Sequence, residues 1–419
     1  MSRIWRGRSM TKLGTLTDAT ECAASISYDT ALAILAALAT PLDAISLSLT
    51  DAGGCYLAKP VHARLDSPRF DCAAMDGYAV RASDLENGSS TLTQVGTSYA
   101  GSSDAGEIGP GQTMRVMTGA PLPHGADRVV MIEYCRQMGS EVTIAAPPRG
   151  KPHIRRRGSD FARGQQLLPP CTKITPATVL VAAAGDHGQL SVTRRPRIQL
   201  LATGDEIFVP GSAAAAAFPI PDSPTAAIDL MCRSAGAEVV SKARLSDDPK
   251  AIASAKQAAE ADIIVVVGGA SRGDRDFGRG AFAPLGLKIA FADVDMKPGK
   301  PVWYGTAGAA HILGLPGNPA AALTIARLFL VPLITRLMGG DLADALPWQL
   351  IPATAPIEAN GAREAFLCAA TSFHGVAVGD RQDASGQARL AHSNALVRRR
   401  AHAAPVLPGM LVPTLPLCC

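Results

Sequence analysis

Two lysines, Lys297 and Lys300, flank a Pro-Gly turn in MKPGKP (296–301), and further on an apolar run, residues 310–315, leads straight into Pro316-Gly317-Asn318-Pro319 and an Ala/Leu-rich segment. A strand that breaks at glycine and restarts as a helix leaves several backbone N–H groups aimed at one point, where the helix dipole favours negative charge. Lysines beside it complete a site for phosphate or another oxyanion; taken alone, the same residues equally describe a tight turn with two solvated lysines. A second apolar β-branched run, DIIVVV (262–267), has the composition of a buried parallel strand and ends in Gly268-Gly269-Ala270-Ser271-Arg272-Gly273-Asp274-Arg275-Asp276. Paired glycines admit a ligand close to the backbone, and Asp274 and Asp276 place carboxylates at the end of the strand where open α/β sheets bind ligands. A third strand, residues 198–202, ends in Thr203-Gly204-Asp205-Glu206. Acids suit a divalent cation and lysines an anion, so three such loops in one domain point to a cleft for both.

These loops need a scaffold. From Arg197 to about Gly339 the pattern alternates strand and helix: strands at 198–202, 237–244, 262–267 and 310–315, and helices opening at Asp222-Ser223-Pro224, near 249–260 and after Pro319. Ser223 is expected as N-cap with Pro224 as the first helical residue. This predicts a doubly wound parallel sheet. Upstream, residues 27–37 read as a helix, and residues 45–170 alternate short β-type runs (46–49, 113–117, 128–133, 141–144) with Gly/Pro turns. Period-two stretches at 387–391 and 395–397 predict a small C-terminal β domain or barrel. The fold class is therefore α/β plus β, multidomain. The expected divisions are an arm at 1–26, a discontinuous linker and dimerisation subdomain at 27–47 and 146–192, a β-rich subdomain at 48–145, the α/β domain at 193–340 and the C-terminal β domain at 341–419.

The 419 residues are 47% hydrophobic with a net charge of +4, ample for several cores and too mild to suggest nucleic acid. The arginine clusters 155–157 and 398–400 lack interleaved aromatics and read as solvated faces or phosphate contacts. Nine cysteines without a CxxC pair, and isolated histidines, offer neither a zinc motif nor a disulfide framework; reduced thiols in a cytosol fit best. The apolar run 320–338 contains Arg327, Pro332 and Arg336 and reads as a buried helix rather than a membrane span. The basic start MSRIWRGRSM lacks the apolar stretch of a signal peptide, and translation from Met10 is compatible with it.

In the β-rich region, FDCAAMDGYAV (70–80) sets Asp76 against Gly77, RVMTGAPLP (115–123) carries Thr118, and IRRRGSD (154–160) ends on Asp160. With ATGDE (202–206), DS (222–223), GGASRGDRD (268–276), MKPGKP, GLPGNP (314–319), RE (363–364) and SG (385–386), these motifs stand in an order that resembles the molybdopterin molybdenumtransferases, the MoeA-like molybdate-insertion enzymes to which the gephyrin C-terminal domain is related. The resemblance runs from about Ser27 to Pro416. It implies an elongated cytoplasmic homodimer that takes adenylylated molybdopterin and molybdate, releases AMP and leaves molybdenum on the pterin dithiolene with the help of Mg²⁺, passing between a molybdopterin adenylyltransferase and apo-molybdoenzymes. It implies catalytic roles for Asp76, Glu206, Asp276, Lys297 and Lys300, with Glu206, Asp274 and Asp276 holding the metal. Substrate contacts fall to Thr118, Asp160, Asp248, Gly268, Gly269, Ser271, Asp274, Pro316, Gly317, Asn318 and Pro319. Asp76, Thr118 and Asp160 belong to the partner's side of the cleft. The chain departs from the family pattern at Pro224, where Asn is usual, at Arg272 and Arg275, and at Cys368, where arginine is common. The rival readings are a molybdopterin adenylyltransferase, which resembles residues 190–340 only, and a non-catalytic scaffold or carrier dimer. Both β-rich segments argue against the first, and retention of Asp76, Asp276 and the two lysines against the second.

Overall fold

The computed structural model describes residues 17–18, 25–86, 88–102, 104–145, 150–215, 218–246, 248, 254, 260–268, 278–379 and 382–417. The chain divides into two compact units. One takes in the chain up to Ile45 with Gly54–Ala58 and Val192–Cys419; the other is Ser46–Gly53 with Lys59–Ser191.

In the first unit, Arg197–Thr203, Glu238–Leu245, Ile263–Val267 and Ala310–Leu315 form the parallel part of a seven-stranded sheet. Their order is 310–315, 263–267, 197–203, 238–245. Alternate residues face opposite sides: Ile198, Leu200, Val265, Val267, Leu313 and Leu315 enter one core, while Leu201, Ile264, Val266 and Ile312 enter another. On the three inner strands both faces are therefore buried, the reason 198–202, 263–267 and 310–315 read as largely apolar runs, whereas no residue of the edge strand 238–245 is fully buried.

The sheet is mixed rather than wholly parallel. Trp303–Ala307 lies antiparallel to 310–315, followed by Lys288–Ala292 and, at the edge, Thr17–Asp18. Only Gly308 and Ala309 separate Ala307 from its register partner Ala310, a connection too short for a parallel crossover. The helix expected near 249–260 lies largely outside the described residues.

Tyr28–Leu38 is the expected first helix, its N-cap Ser27 accepting the Thr30 N–H at 3.2 Å. The longest helical stretch, Pro319–Leu337, is long and apolar enough to cross a membrane but is buried within this unit. Its Arg327, 1% exposed, donates to the carbonyls of Pro416 and Ala345 at 2.8 Å each, so the buried charge is hydrogen-bonded. A π-helical turn, Ala326–Leu330, precedes Pro332 and absorbs the backbone bond that proline cannot make. Tyr28 packs edge-on against Phe329 and Phe366, which ties both helices to strand Glu364–Ser372.

That strand belongs to a six-stranded sheet ordered 296–297, 364–372, 395–399, 411–416, 349–352, with Gly375–Val378 also paired to 364–372. Residues 388–392 form a 3₁₀ turn instead of the expected strand: five residues of alternation do not outweigh the short loop they must close. The 398–400 arginines also depart from expectation. Arg398 bonds Glu364 and Asp29 at 2.6 and 2.7 Å and stacks over Tyr28, and Arg399 is buried, so these two serve packing, while Arg400 is exposed as expected.

The second unit holds a six-stranded sheet ordered 128–131, 77–80, 112–116, 90–98, 141–144, 135–138, with only the 90–98/112–116 pair parallel. In the 155–157 cluster, Arg156 and Arg157 pair with Asp71 and Asp66.

Candidate functional site

Three neighbouring parallel strands end at one level. Ala202 is in register with Val267, and Val267 with Leu315, so Thr203-Gly204, Gly268 and Pro316-Gly317 leave the sheet side by side. A cavity of about 540 Å³ opens there, lined by these residues together with Glu206, Ile207, Ile220, Asp222, Asn318, Pro319, Ser385 and Gln387. It stands at the carboxyl ends of the strands, where crossovers diverge and leave a crevice.

Gly268 adopts φ +94°, and a Cβ there would fall 2.7 Å from the Thr203 carbonyl oxygen and 2.8 Å from its hydroxyl. Only glycine fits. Gly204, at φ +139°, lies under the Glu206 carboxylate, which a Cβ would meet at 2.8 Å. Glu206 is thus folded back over the strand end at the cavity. Gly317 and Asn318 are exposed, and their N–H groups donate to no described residue. Both residues line the cavity.

The first turn of the following helix is partly occupied. Ala320 and Ala321 donate to the carbonyl of Ala384 at 3.1 and 3.2 Å, so an oxygen from the C-terminal sheet region caps the helix.

Asp222 is the N-cap of helix Ser223–Ser234, accepting the Thr225 N–H at 3.2 Å, which corrects the expected cap by one residue. Ser223 is the first helical residue, and Pro224 follows it. Asp222 is 3% exposed and lies 3.7 Å from Arg244 on the neighbouring strand, so its charge is compensated inside the cavity wall. The Thr203 hydroxyl is buried and has no hydrogen-bond partner among the described residues.

Lys297 and Lys300 are exposed and do not line this cavity. Lys297 instead borders a much smaller one of about 10 Å³ with Thr324, Cys368, Gln382 and Arg389. The Lys297–Pro298 peptide is cis. Asp248 is exposed beyond strand 238–245. Gly269, Ser271, Asp274 and Asp276 lie outside the described residues. Of the three carboxylates expected to hold Mg²⁺, Glu206 is therefore the one described; its hard oxygen at a strand end suits that ion. Among the described residues no group of three His, Cys, Asp or Glu is placed to hold a metal.

In the second unit, the Asp76 carboxylate accepts both the hydroxyl and the backbone N–H of Thr118, each at 2.7 Å. These bonds, the hydroxyl's foremost, hold its pKa below the ordinary carboxylate value. Asp76 is exposed and stays ionised, a fixed negative charge on the Gly77 turn. Asp160 lies apart from this pair, on a groove with Phe161, Gln165 and Leu180.

Sequence reasoning placed Thr203 at a strand end without giving it a role, and missed Ile220 and Gln387. Asp222 had a signal, since Asp-Ser-Pro-Thr serves as a cap at either of its first two residues. Gln387 had none, because it arrives from 164 positions along the chain, where Ser223 donates to its side-chain oxygen at 2.7 Å.

Comparison with known proteins bears on both units. A family model described as the MoeA N-terminal region (domain I and II) matches residues 26–185, and one described as a probable molybdopterin binding domain matches 199–336. The molybdopterin molybdenumtransferase of a Nostoc species is 37% identical over 308 residues, covering 70% of this chain and 69% of that protein. The Haemophilus influenzae protein of the same name is 32% identical over 309 residues, covering 73% and 76%. The molybdopterin biosynthesis MoeA protein of Pyrococcus horikoshii superposes with a TM-score of 0.81 at 22% identity, over 94% of this chain and all of that one, a likeness of fold.

Proposed function

The chain belongs to the molybdopterin molybdenumtransferase family, and on that premise we propose that the cavity at the three strand ends is where molybdenum is transferred to the pterin. The chain is a transferase of molybdenum cofactor biosynthesis. The finer reading is that its substrates are adenylylated molybdopterin and molybdate, that the phosphoanhydride is cleaved with AMP as the leaving group, and that molybdenum stays on the dithiolene.

The observation that carries this reading is the alignment of Thr203-Gly204, Gly268 and Pro316-Gly317 at one sheet edge, with Glu206, Gly317 and Asn318 together on one cavity. Both substrates are anions, and backbone amides bind anions without bringing a proton that must be managed. Lys297 and Lys300, exposed on their turn, add point charges that draw in phosphate or molybdate. Glu206, with Asp274 and Asp276, would hold Mg²⁺, which screens phosphate charge when bound. Gly269 and Ser271 would extend the amide cradle begun by Gly268, and Asp248 would contact the substrate's outer part.

Asp76, held ionised by Thr118, and Asp160 are read as the contribution of a second copy in a cytoplasmic homodimer. The C-terminal sheet is read as a small barrel, its ends joined through the Ala353–Val376 bridge. Delivery of substrate by an adenylyltransferase and transfer of product to apo-molybdoenzymes belong to the same reading.

The test is to incubate the full chain with adenylylated molybdopterin, Mg²⁺ and micromolar molybdate, following AMP release and reconstitution of an apo-molybdoenzyme. Molybdate-dependent AMP release with reconstitution supports the reading. Tight binding of the pterin nucleotide without AMP release would replace it with a carrier role.

A further inference from the structure

The segment 382–389 of the C-terminal region is fastened to the chain at two points and closed on itself by a further bond. At its start Gln382 exchanges hydrogen bonds with the backbone of Cys368, receiving the N–H at 3.0 Å and donating to the carbonyl at 3.1 Å. At its end Arg389 donates back to the Asp383 carbonyl. Between them the Gln387 side-chain oxygen accepts the Ser223 hydroxyl at 2.7 Å, joining the loop to the first turn of helix 223–234. So held, the loop presents the Ala384 carbonyl to the N–H groups of Ala320 and Ala321 and places Gln387 on the cavity wall.

The electrostatic consequence is specific. A helix N-terminus offers an anion its first free amides, and here the second and third residues of the 319–337 helix are already bonded to a carbonyl oxygen. That oxygen also repels an anion from the first turn. Among the described residues, the amides just before the helix that donate to no partner are those of Gly317 and Asn318, and Gly317 lies against Gly268 at the cavity.

We propose that Gln387 is a positioning residue for the transfer reaction. Latched to Ser223, it holds the 382–389 loop so that Ala384 closes the helix terminus and confines the substrate anion to Gly317 and Asn318. The inference rests on the functional reading above and names a determinant within that site. The latch is a single hydrogen bond at the protein surface, so its loss shifts the loop equilibrium roughly three- to ten-fold.

The experiment uses the full chain with Ser223→Ala, Gln387→Ala, the double variant, and Ser223→Thr, which retains the hydroxyl. Amide hydrogen exchange at Ala320 and Ala321 should quicken about three- to ten-fold in both alanine variants, no further in the double variant, and return to the wild-type rate in Ser223→Thr. In turnover, KM for adenylylated molybdopterin should rise by a similar factor while kcat changes less. Inorganic phosphate, a small anion able to use the two released amides, should inhibit at lower concentration. A general loosening of the fold would weaken both anions together. Unchanged exchange at Ala320 and Ala321 overturns the latch whatever the activity, and quickened exchange with an unmoved KM overturns the positioning role. A wild-type chain that releases no AMP refutes the functional reading, and the exchange and phosphate measurements still decide the latch.

Discussion

Replacing Gly268 with alanine should damage both stability and turnover, and the two costs can be worked out separately. At φ +94° the backbone sits where an L side chain is strained whatever the surrounding space, a cost of about 1–2 kcal/mol. The new methyl would also lie 2.7 Å from the Thr203 carbonyl oxygen and 2.8 Å from its hydroxyl, and the first is backbone that cannot rotate aside. Relieving that overlap costs about 1–3 kcal/mol more. The expected total is about 2–5 kcal/mol by denaturant unfolding of the full chain.

Relief requires strand ends 203 and 268 to separate, which moves Glu206 and the Gly317 amides relative to each other. A displacement of that kind at reacting atoms lowers AMP release by about 10²-fold. Gly286→Ala is the control: at φ +76° it carries the conformational cost alone, with nothing within 4 Å of the new methyl. It should lose about 1–2 kcal/mol and keep its activity. Equal destabilisation by the two substitutions, or undiminished AMP release from Gly268→Ala, would refute the assignment of Gly268 to the cleft floor.

Because Lys297 and Lys300 are exposed, the double alanine variant should unfold within about 0.5 kcal/mol of the wild type while needing roughly tenfold more molybdate or nucleotide for half-maximal rate; a change confined to stability would make the lysines structural. Thr118→Val removes the donor that does most to depress the Asp76 pKa. A depressed carboxylate contributes fully above its unfolded value and loses that contribution as pH falls through the folded one. In the variant the carboxyl ¹³C titration should therefore move to higher pH, and an unmoved curve would show that the hydroxyl is not the cause. Cys368 is 3% exposed with Arg389 beside it, so Cys368→Arg would bury a second guanidinium there and cost about 3–5 kcal/mol by denaturant unfolding; wild-type stability would show that the site has room for both.

Much of this protein was legible along the chain because its signals are local. The run 310–315 is the observed strand residue for residue, since an apolar stretch bounded by turn residues has few alternatives once both faces are buried. Ser27 caps the first helix through a bond spanning three residues. The glycines at 204 and 268 stood out along the chain as strand-end punctuation; the structure gives each a local reason, the Thr203 carbonyl close to 268 and the Glu206 carboxylate over 204. Pairing direction was not local: a two-residue connection made 303–307 and 310–315 a hairpin and the sheet mixed. Nor could neighbouring residues tell that Arg398 would be spent on Glu364, Asp29 and the Tyr28 ring. The cavity wall is the plainest case. Ser223 and Gln387, and Ala384 and Ala320, meet only once distant segments of the same unit pack, because hydrogen bonds act over about 3 Å while the partners stand some sixty or more residues apart. Sequence alone determined where strand ends and a helix start would bring backbone amides together; tertiary structure decided which of them are taken, since only packing brings the Ala384 carbonyl to Ala320 and Ala321.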